Sequence, residues 1–162
     1  VIVAVISDTH LPRGTRRLPD ACVARLEAAD AILHAGDVMT LEVLEQIQSF
    51  GPPVYAVRGN VDGWELQARL PLLRTVELEG ARIGMVHDAG PATGRLERMR
   101  RRFPEADAVV FGHSHIPLHE AKDGFQIFNP GSPTDRRRQP RHTMGVATVE
   151  NGHVRFELIA LE

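Results

Sequence analysis

The chain has 162 residues, is 43% hydrophobic and 25% charged, and carries a formal net charge of -2. That composition suits a globular protein with one core, burying roughly 70% of its unfolded surface, and excludes disorder and a generally basic nucleic-acid-binding face. One cysteine, Cys22, excludes an internal disulfide framework and a thiolate zinc site, and no apolar run reaches the ~18 residues of a membrane span. Cytoplasmic residence is the expectation. A single domain over residues 1–162 is expected too, since no linker, repeat or low-complexity stretch interrupts the pattern.

Val1–Ile6 is continuously apolar and predicts a buried strand ending at Ser7-Asp8. Pro19–Ala28 predicts a helix with Val23, Leu26 and Ala29 inward, and Cys22 as small apolar filler. Ala31–His34 predicts a second strand. Thr40 is placed to cap a helix through Leu41, Leu44 and Ile47, which Gly51-Pro52-Pro53 stops before a strand at Val54–Val57. Thr75–Leu78 and Arg82–Val86 flank Glu79-Gly80-Ala81 as a hairpin. Thr93–Phe103 predicts an amphipathic helix with Leu96, Met99 and Phe103 buried and Arg95, Arg98 and Arg102 in water. The Arg100-Arg101-Arg102 run complements the end of that helix and receives no further role. Strands follow at Ala108–Phe111, Ile116–Ala121, Phe125–Phe128, Thr143–Val149 and Val154–Ile159, the last two joined through Asn151-Gly152. This is an α/β chain whose first half alternates strand and helix and whose second half is more antiparallel; two stacked sheets between helices are expected.

Chemistry-bearing residues cluster just after the predicted strands, at Ser7-Asp8-Thr9-His10, Gly36-Asp37, Gly59-Asn60-Val61-Asp62, His87-Asp88 and Gly112-His113-Ser114-His115. Carboxyl ends of strands are where α/β sheets hold ligands. In extended backbone, residues i and i+2 share a side, so Asp8 with His10 and His113 with His115 read as two claws, each gripping one ion. Asp8, His10, Asp37, Asn60, His87, His113 and His115 supply oxygen and imidazole donors, suited to Mn²⁺, Fe, Co²⁺, Ni²⁺ or Zn²⁺. Seven ligands are too many for one ion and suit two. The surplus positive charge would then bind an anionic phosphate.

In this order the motifs resemble the calcineurin-like metallophosphoesterases. Arg58-Gly59-Asn60-Val61-Asp62 and Asn129-Pro130-Gly131-Ser132 look like the small bacterial and archaeal phosphodiesterase branch, related to the retromer subunit of the same fold. The resemblance implies a four-layer α/β/β/α sandwich of two stacked mixed sheets flanked by helices. It implies that Asp8, His10 and His115 hold one ion, Asp37 bridges, and Asn60, His87 and His113 hold the other. Mn²⁺ is the expected metal. A bridging hydroxide would attack phosphorus in line, with Asp37, Asn60 and His113 facing the reaction.

Two departures stand out. Val61 occupies the place of a histidine that protonates the leaving oxygen in many relatives, which implies a preference for leaving groups needing little protonation. Asp88 stands where a glycine is common and is either a support for the second ion, a proton donor or a solvated loop residue. His34 is expected to orient Asp37 or to be a buried hydrogen-bonded histidine; Asp62, to hold the Asn60 loop or to cap a turn. Arg58 and Arg136 are candidate substrate contacts. The expected function is a two-metal phosphodiesterase for small or activated diesters. Alternatives are a phosphomonoesterase, a nuclease for short single strands, or a non-catalytic protein-interaction or phosphate-sensing module. No membrane partner or longer nucleic acid is expected, and an exposed strand edge would permit a homo-oligomer.

Overall fold

A computed structural model describes residues 1–162. β1 (Ile2–Ile6) is apolar throughout because both of its faces are covered. Val3 and Val5 enter a core between two sheets, while Ala4 and Ile6 enter a second core under helices. The chain continues through α1 (Asp20–Ala28), β2 (Ala31–His34), α2 (Leu41–Gln48) and β3 (Val54–Ala56), and β1, β2 and β3 pair in parallel. Thr40 caps α2 as expected, its hydroxyl accepting the Val43 N–H at 3.3 Å. After α3 (Trp64–Arg69), β4 (Leu73–Leu78) and β5 (Ala81–Val86) form the expected hairpin, and α4 (Arg95–Arg102) leads to β6 (Ala108–Val110). β7 (Leu118–Lys122) and β8 (Phe125–Asn129) pair antiparallel. β9 (Thr143–Glu150) and β10 (His153–Ala160) then return to the first sheet.

The sheets run β10-β9-β1-β2-β3 and β4-β5-β6-β8-β7. In the second, β5, β6 and β8 are parallel between antiparallel flanks. Met85, Val110 and Phe128 face Val5 and Leu33 across the central core. Cys22, Leu26, Leu44, Ile47 and Leu66 cover the outer face of the first sheet, and Leu96, Met99 and Phe103 that of the second. The architecture is thus the expected α/β/β/α sandwich.

Two readings of the sequence are corrected. α3 was not anticipated: it is six residues long, has no side-chain cap and buries only Leu66. Arg95 and Arg98 do not point to water. Arg98 donates to the carbonyls of Ala89, Pro91 and Thr93, and Arg95 to that of Gly90 while lying 5.0 Å over the Phe111 ring. They satisfy the turn carbonyls of the loop that follows His87.

Candidate metal centre

β1, β2, β3, β5 and β6 all direct their carboxyl ends to one edge of the sandwich, where the motifs meet. Asp8 follows β1. Its Oδ2 accepts from the Ser7 hydroxyl at 2.8 Å and the His113 N–H at 3.0 Å. Its Oδ1 is buried without a hydrogen-bond partner and lies 3.7, 3.8 and 3.5 Å from Nε2 of His10, His87 and His115. Asp37 follows β2 and repeats the arrangement. Oδ1 takes the Val61 N–H at 3.0 Å, while Oδ2 lies 3.3 Å from His10 Nε2 and 3.1 Å from His87 Nε2. Each carboxylate thus gives one oxygen to the protein and presents the other to imidazoles.

The histidines are oriented from behind. His87 Nδ1 faces the Ala35 carbonyl at 2.7 Å and His115 Nδ1 faces that of Asp135. A carbonyl only accepts, so Nδ1 carries a proton in both and Nε2 is turned toward the carboxylates. Lone pairs facing carboxylate oxygens at these distances repel unless a cation or proton lies between them. His10 Nε2 and His115 Nε2 are buried without hydrogen-bond partners, like Asp8 Oδ1. Unpaired buried donors and acceptors of this kind are rare and costly, and here they converge. Asp8, His10 and His115 bring one ligand atom each within 4.8 Å of one another, and so do Asp8, Asp37 and His87. The residues present therefore fit divalent cations.

Titration behaviour agrees. Burial works to lower His10, but the Asp37 and Asp8 carboxylates outweigh it and raise the imidazole to about 9. His87 is likewise raised against its burial by Asp37 and Asp8. Burial works to raise Asp37, yet His10 and His87 hold its carboxyl well below the usual range. Burial dominates at His115 and lowers it despite Asp8, with Arg137 and His10 adding to the effect.

Asn60 and His113 form the exposed lip. Asn60 Oδ1 is 3.0 Å from His87 Nε2 and 3.2 Å from His113 Nδ1. His113 therefore sides with Asn60 and His87, and His115 with Asp8 and His10. This corrects the extended-claw reading of the sequence. Asp8, His10, Asp37, His113 and His115 all have positive φ, between 46° and 75°, so tight left-handed corners aim them. Such corners cost non-glycine residues roughly 1–3 kcal/mol each and collect at functional sites. Gly59 and Gly112 are glycines for space. A Cβ on Gly59 would overlap Asp37 Oδ1, and one on Gly112 would overlap Ser7 Oγ and meet Asp8 Oδ2 at 2.6 Å.

Asp62 is buried and accepts from the N–H groups of Gly59, Met39 and Asp37 at 2.6, 2.7 and 3.2 Å, tying the Asn60 loop to the Asp37 loop. Burial raises its carboxyl even so. His34 accepts the Gly36 N–H on Nδ1 at 3.1 Å, which places its proton on Nε2, 3.1 Å from Thr9 Oγ1. It braces the turn carrying Asp37 and does not touch the carboxylate. Full burial lowers it to about 4.

The Arg136 expectation is corrected, whereas Asp88 takes its solvated-loop alternative and Arg58 keeps a place beside Asn60 and His87. Asp88 is exposed, takes the Gly90 N–H at 2.8 Å and hydrogen-bonds to none of the cluster. Arg136 is exposed and donates to the Gln139 carbonyl at 2.7 Å; the Arg137 charge is the one that reaches His115. Arg58 donates to the carbonyls of Gln67 and Leu70 on the rim. The Asn129–Ser132 loop, quoted above for the resemblance, lies beside the site. Ser132 donates to the Asp8 carbonyl at 2.8 Å, and Asn129 to that of Gly112 at 3.2 Å. The bracing roles of Ser7, Thr9 and Asp135 were not read from the sequence, where small hydroxyl residues and a loop aspartate carry no distinguishing pattern.

The sequence profile described as the calcineurin-like phosphoesterase superfamily domain matches residues 1–152. A probable metallophosphoesterase of Methanothermobacter thermautotrophicus is 32% identical over 136 residues, covering 83% of this chain and 78% of its own. A phosphodiesterase of Methanocaldococcus jannaschii is 25% identical over 142 residues, covering 80% and 82%. Among solved structures, Vps29 of Entamoeba histolytica complexed with zinc superposes with a TM-score of 0.80 at 20% identity, over 100% of both chains. Domain profile, relatives and geometry agree: the chain belongs to the calcineurin-like phosphoesterase superfamily.

Proposed function

We propose that residues 1–162 form one metallophosphoesterase unit that hydrolyses small or activated phosphodiesters with two divalent ions, Mn²⁺ foremost. The observation that carries this reading is Asp37 Oδ2, within 3.3 Å of an imidazole nitrogen from each half of the cluster. Asp37 would be shared between the ions, as the family resemblance implies. Asp8, His10 and His115 would hold the first ion; Asn60, His87 and His113 the second. Such ions supply Lewis acidity, polarising a phosphoryl oxygen and lowering the pKa of water. The chain's own part is orientation. Ser7 and the His113 N–H fix Asp8, the Ala35 and Asp135 carbonyls fix His87 and His115, and Asn60 and His113 meet the substrate at the exposed lip.

Val61, 39% exposed beside Asn60, has no proton to give a leaving oxygen, which favours diesters with acidic leaving groups. Cytoplasmic residence belongs to the same proposal. No helix is long and apolar enough to cross a membrane.

The test is hydrolysis of bis(4-nitrophenyl) phosphate by metal-stripped protein refilled with Mn²⁺, beside an Asp37→Asn variant and 4-nitrophenyl phosphate as monoester control. Metal-dependent turnover, reduced about 10²-fold or more in the variant and faster on the diester, supports the proposal. Faster monoester turnover would move the assignment to a phosphomonoesterase. Bound metal without turnover on either ester would leave a binding module.

A further inference from the structure

A cleft of about 340 Å³ opens beside the Asn60 and His87 side of the cluster, and Arg58 and Arg102 stand in its walls. They come from separate parts of the chain, Arg58 just after β3 and Arg102 at the end of α4. Arg58 is half-buried, and its Nη1 is anchored on the Leu70 and Gln67 carbonyls at 3.2 and 3.5 Å. That anchoring sets the plane of the guanidinium and leaves Nε and Nη2 for another partner. Arg102 is exposed and makes no side-chain hydrogen bond or ion pair within the chain. Arg100, in the same run, is engaged by the carbonyls of Lys122 and Asp123.

The cleft has one acidic side chain, Asp88, whose Oδ1 is occupied by the Gly90 N–H, and an apolar stretch at Leu72. Two guanidiniums against one carboxylate leave it positive. Arginine is the side chain best suited to grip a phosphate with two parallel hydrogen bonds. The volume lies at the small end of ligand sites, room for a sugar-sized group and a phosphate but not for a duplex.

We propose that this cleft is a subsite for a second anion. The preferred substrate is a phosphodiester bearing a terminal phosphate one sugar-sized unit away from the bond that is cleaved, with Arg102 and Arg58 gripping that phosphate. The inference rests on the phosphodiesterase reading. It adds a recognition element drawn from α4, outside the metal-binding motifs.

The test compares the 4-nitrophenyl ester of thymidine 5′-phosphate with the same ester carrying a 3′-phosphate, on the Mn²⁺-loaded full chain, its R102Q and R102K variants. The 3′-phosphorylated ester is expected to have a kcat/KM about tenfold higher, mainly through KM. That ratio shrinks as salt is raised, falls close to one in R102Q and is intermediate in R102K, which keeps the charge but loses the fork. Calorimetric binding of thymidine 3′,5′-bisphosphate against thymidine 5′-phosphate gives a readout without turnover, with the same dependence on Arg102. Turnover with a ratio near one in the parent chain, or a ratio unchanged in R102Q, would overturn the subsite and leave the phosphodiesterase reading standing. Turnover of neither ester, with Arg102-dependent bisphosphate binding retained, would overturn the phosphodiesterase reading and keep the subsite.

Discussion

At the scale of single residues, the site depends on groups that never face a substrate. Asp62 holds three backbone N–H groups from two loops with one buried carboxylate. An Asp62→Asn substitution keeps the size but replaces one acceptor oxygen with a donor that meets N–H groups. It is expected to cost about 2–4 kcal/mol in urea unfolding and to weaken Mn²⁺ binding roughly 10–100-fold. Unchanged metal affinity would reduce Asp62 to a turn cap. His34 makes a second prediction. Its imidazole titrates near 6.5 when unfolded and about 4 when folded. Between those values the unfolded chain binds the proton and the folded chain does not, so stability is full above about 6.5 and is lost as pH falls toward about 4. Between pH 7.5 and 5 the loss from this group is roughly 2 kcal/mol. Urea midpoints at the two pH values should show a smaller drop in His34→Gln, whose amide is neutral throughout. An equal drop would assign the acid sensitivity elsewhere.

At the scale of elements, the strands were legible and the corners between them were not. β1, β2, β6 and β8 are short apolar runs because sheet or helix covers both faces, and that pattern survives in the sequence. α3 left no pattern because Leu66 alone is buried. The identities of Asp8, His10, Asp37, Asn60, His87, His113 and His115 were legible as polar residues at strand ends. Their division between two halves came only through the family resemblance, since spacing alone paired His113 with His115. It depends on left-handed backbone at His113 and His115, and nothing in a histidine's neighbours announces positive φ. Arginine direction was equally hidden, since the apolar face of α4 is the same whether Arg98 meets water or turn carbonyls. Glycine substitutions separate the two kinds of corner. Gly124 has φ of +79° and open space around it, so Gly124→Ala should cost about 1 kcal/mol and spare metal binding. Gly112→Ala must displace Asp8 or Ser7, so it should cost about 1–3 kcal/mol and also weaken Mn²⁺ binding. Metal titrations that fail to distinguish the two variants would contradict the close approach at Gly112.

Across the whole molecule, the cluster is a junction between the sheets. Asp8, His10, Asp37 and Asn60 follow strands of the first sheet, whereas His87, His113 and His115 follow strands of the second. Elsewhere the sheets meet through apolar side chains such as Val5, Leu33, Met85 and Phe128, which are not directional. At the junction the protein's own links across the gap are directional hydrogen bonds, among them the His113 N–H to Asp8, His87 to the Ala35 carbonyl and Ser132 to the Asp8 carbonyl. A cation held from both sides would act as a clamp. Ligand held only by the folded state stabilises it by about 2.7 kcal/mol at one hundred times its Kd, which for a chain of this length is about 5–10 °C in Tm. Saturating Mn²⁺ should therefore raise Tm by that order, and chelation should reverse it. The clamp makes a sharper demand than simple binding. Amide exchange at Gly36–Asp37 and at Gly112–His113, on opposite sheets, should slow together when metal is added, and should stop responding together in Asp37→Ala. Protection confined to the first sheet would show ions held by Asp8, His10 and Asp37 alone, and His113 as a bystander at the lip.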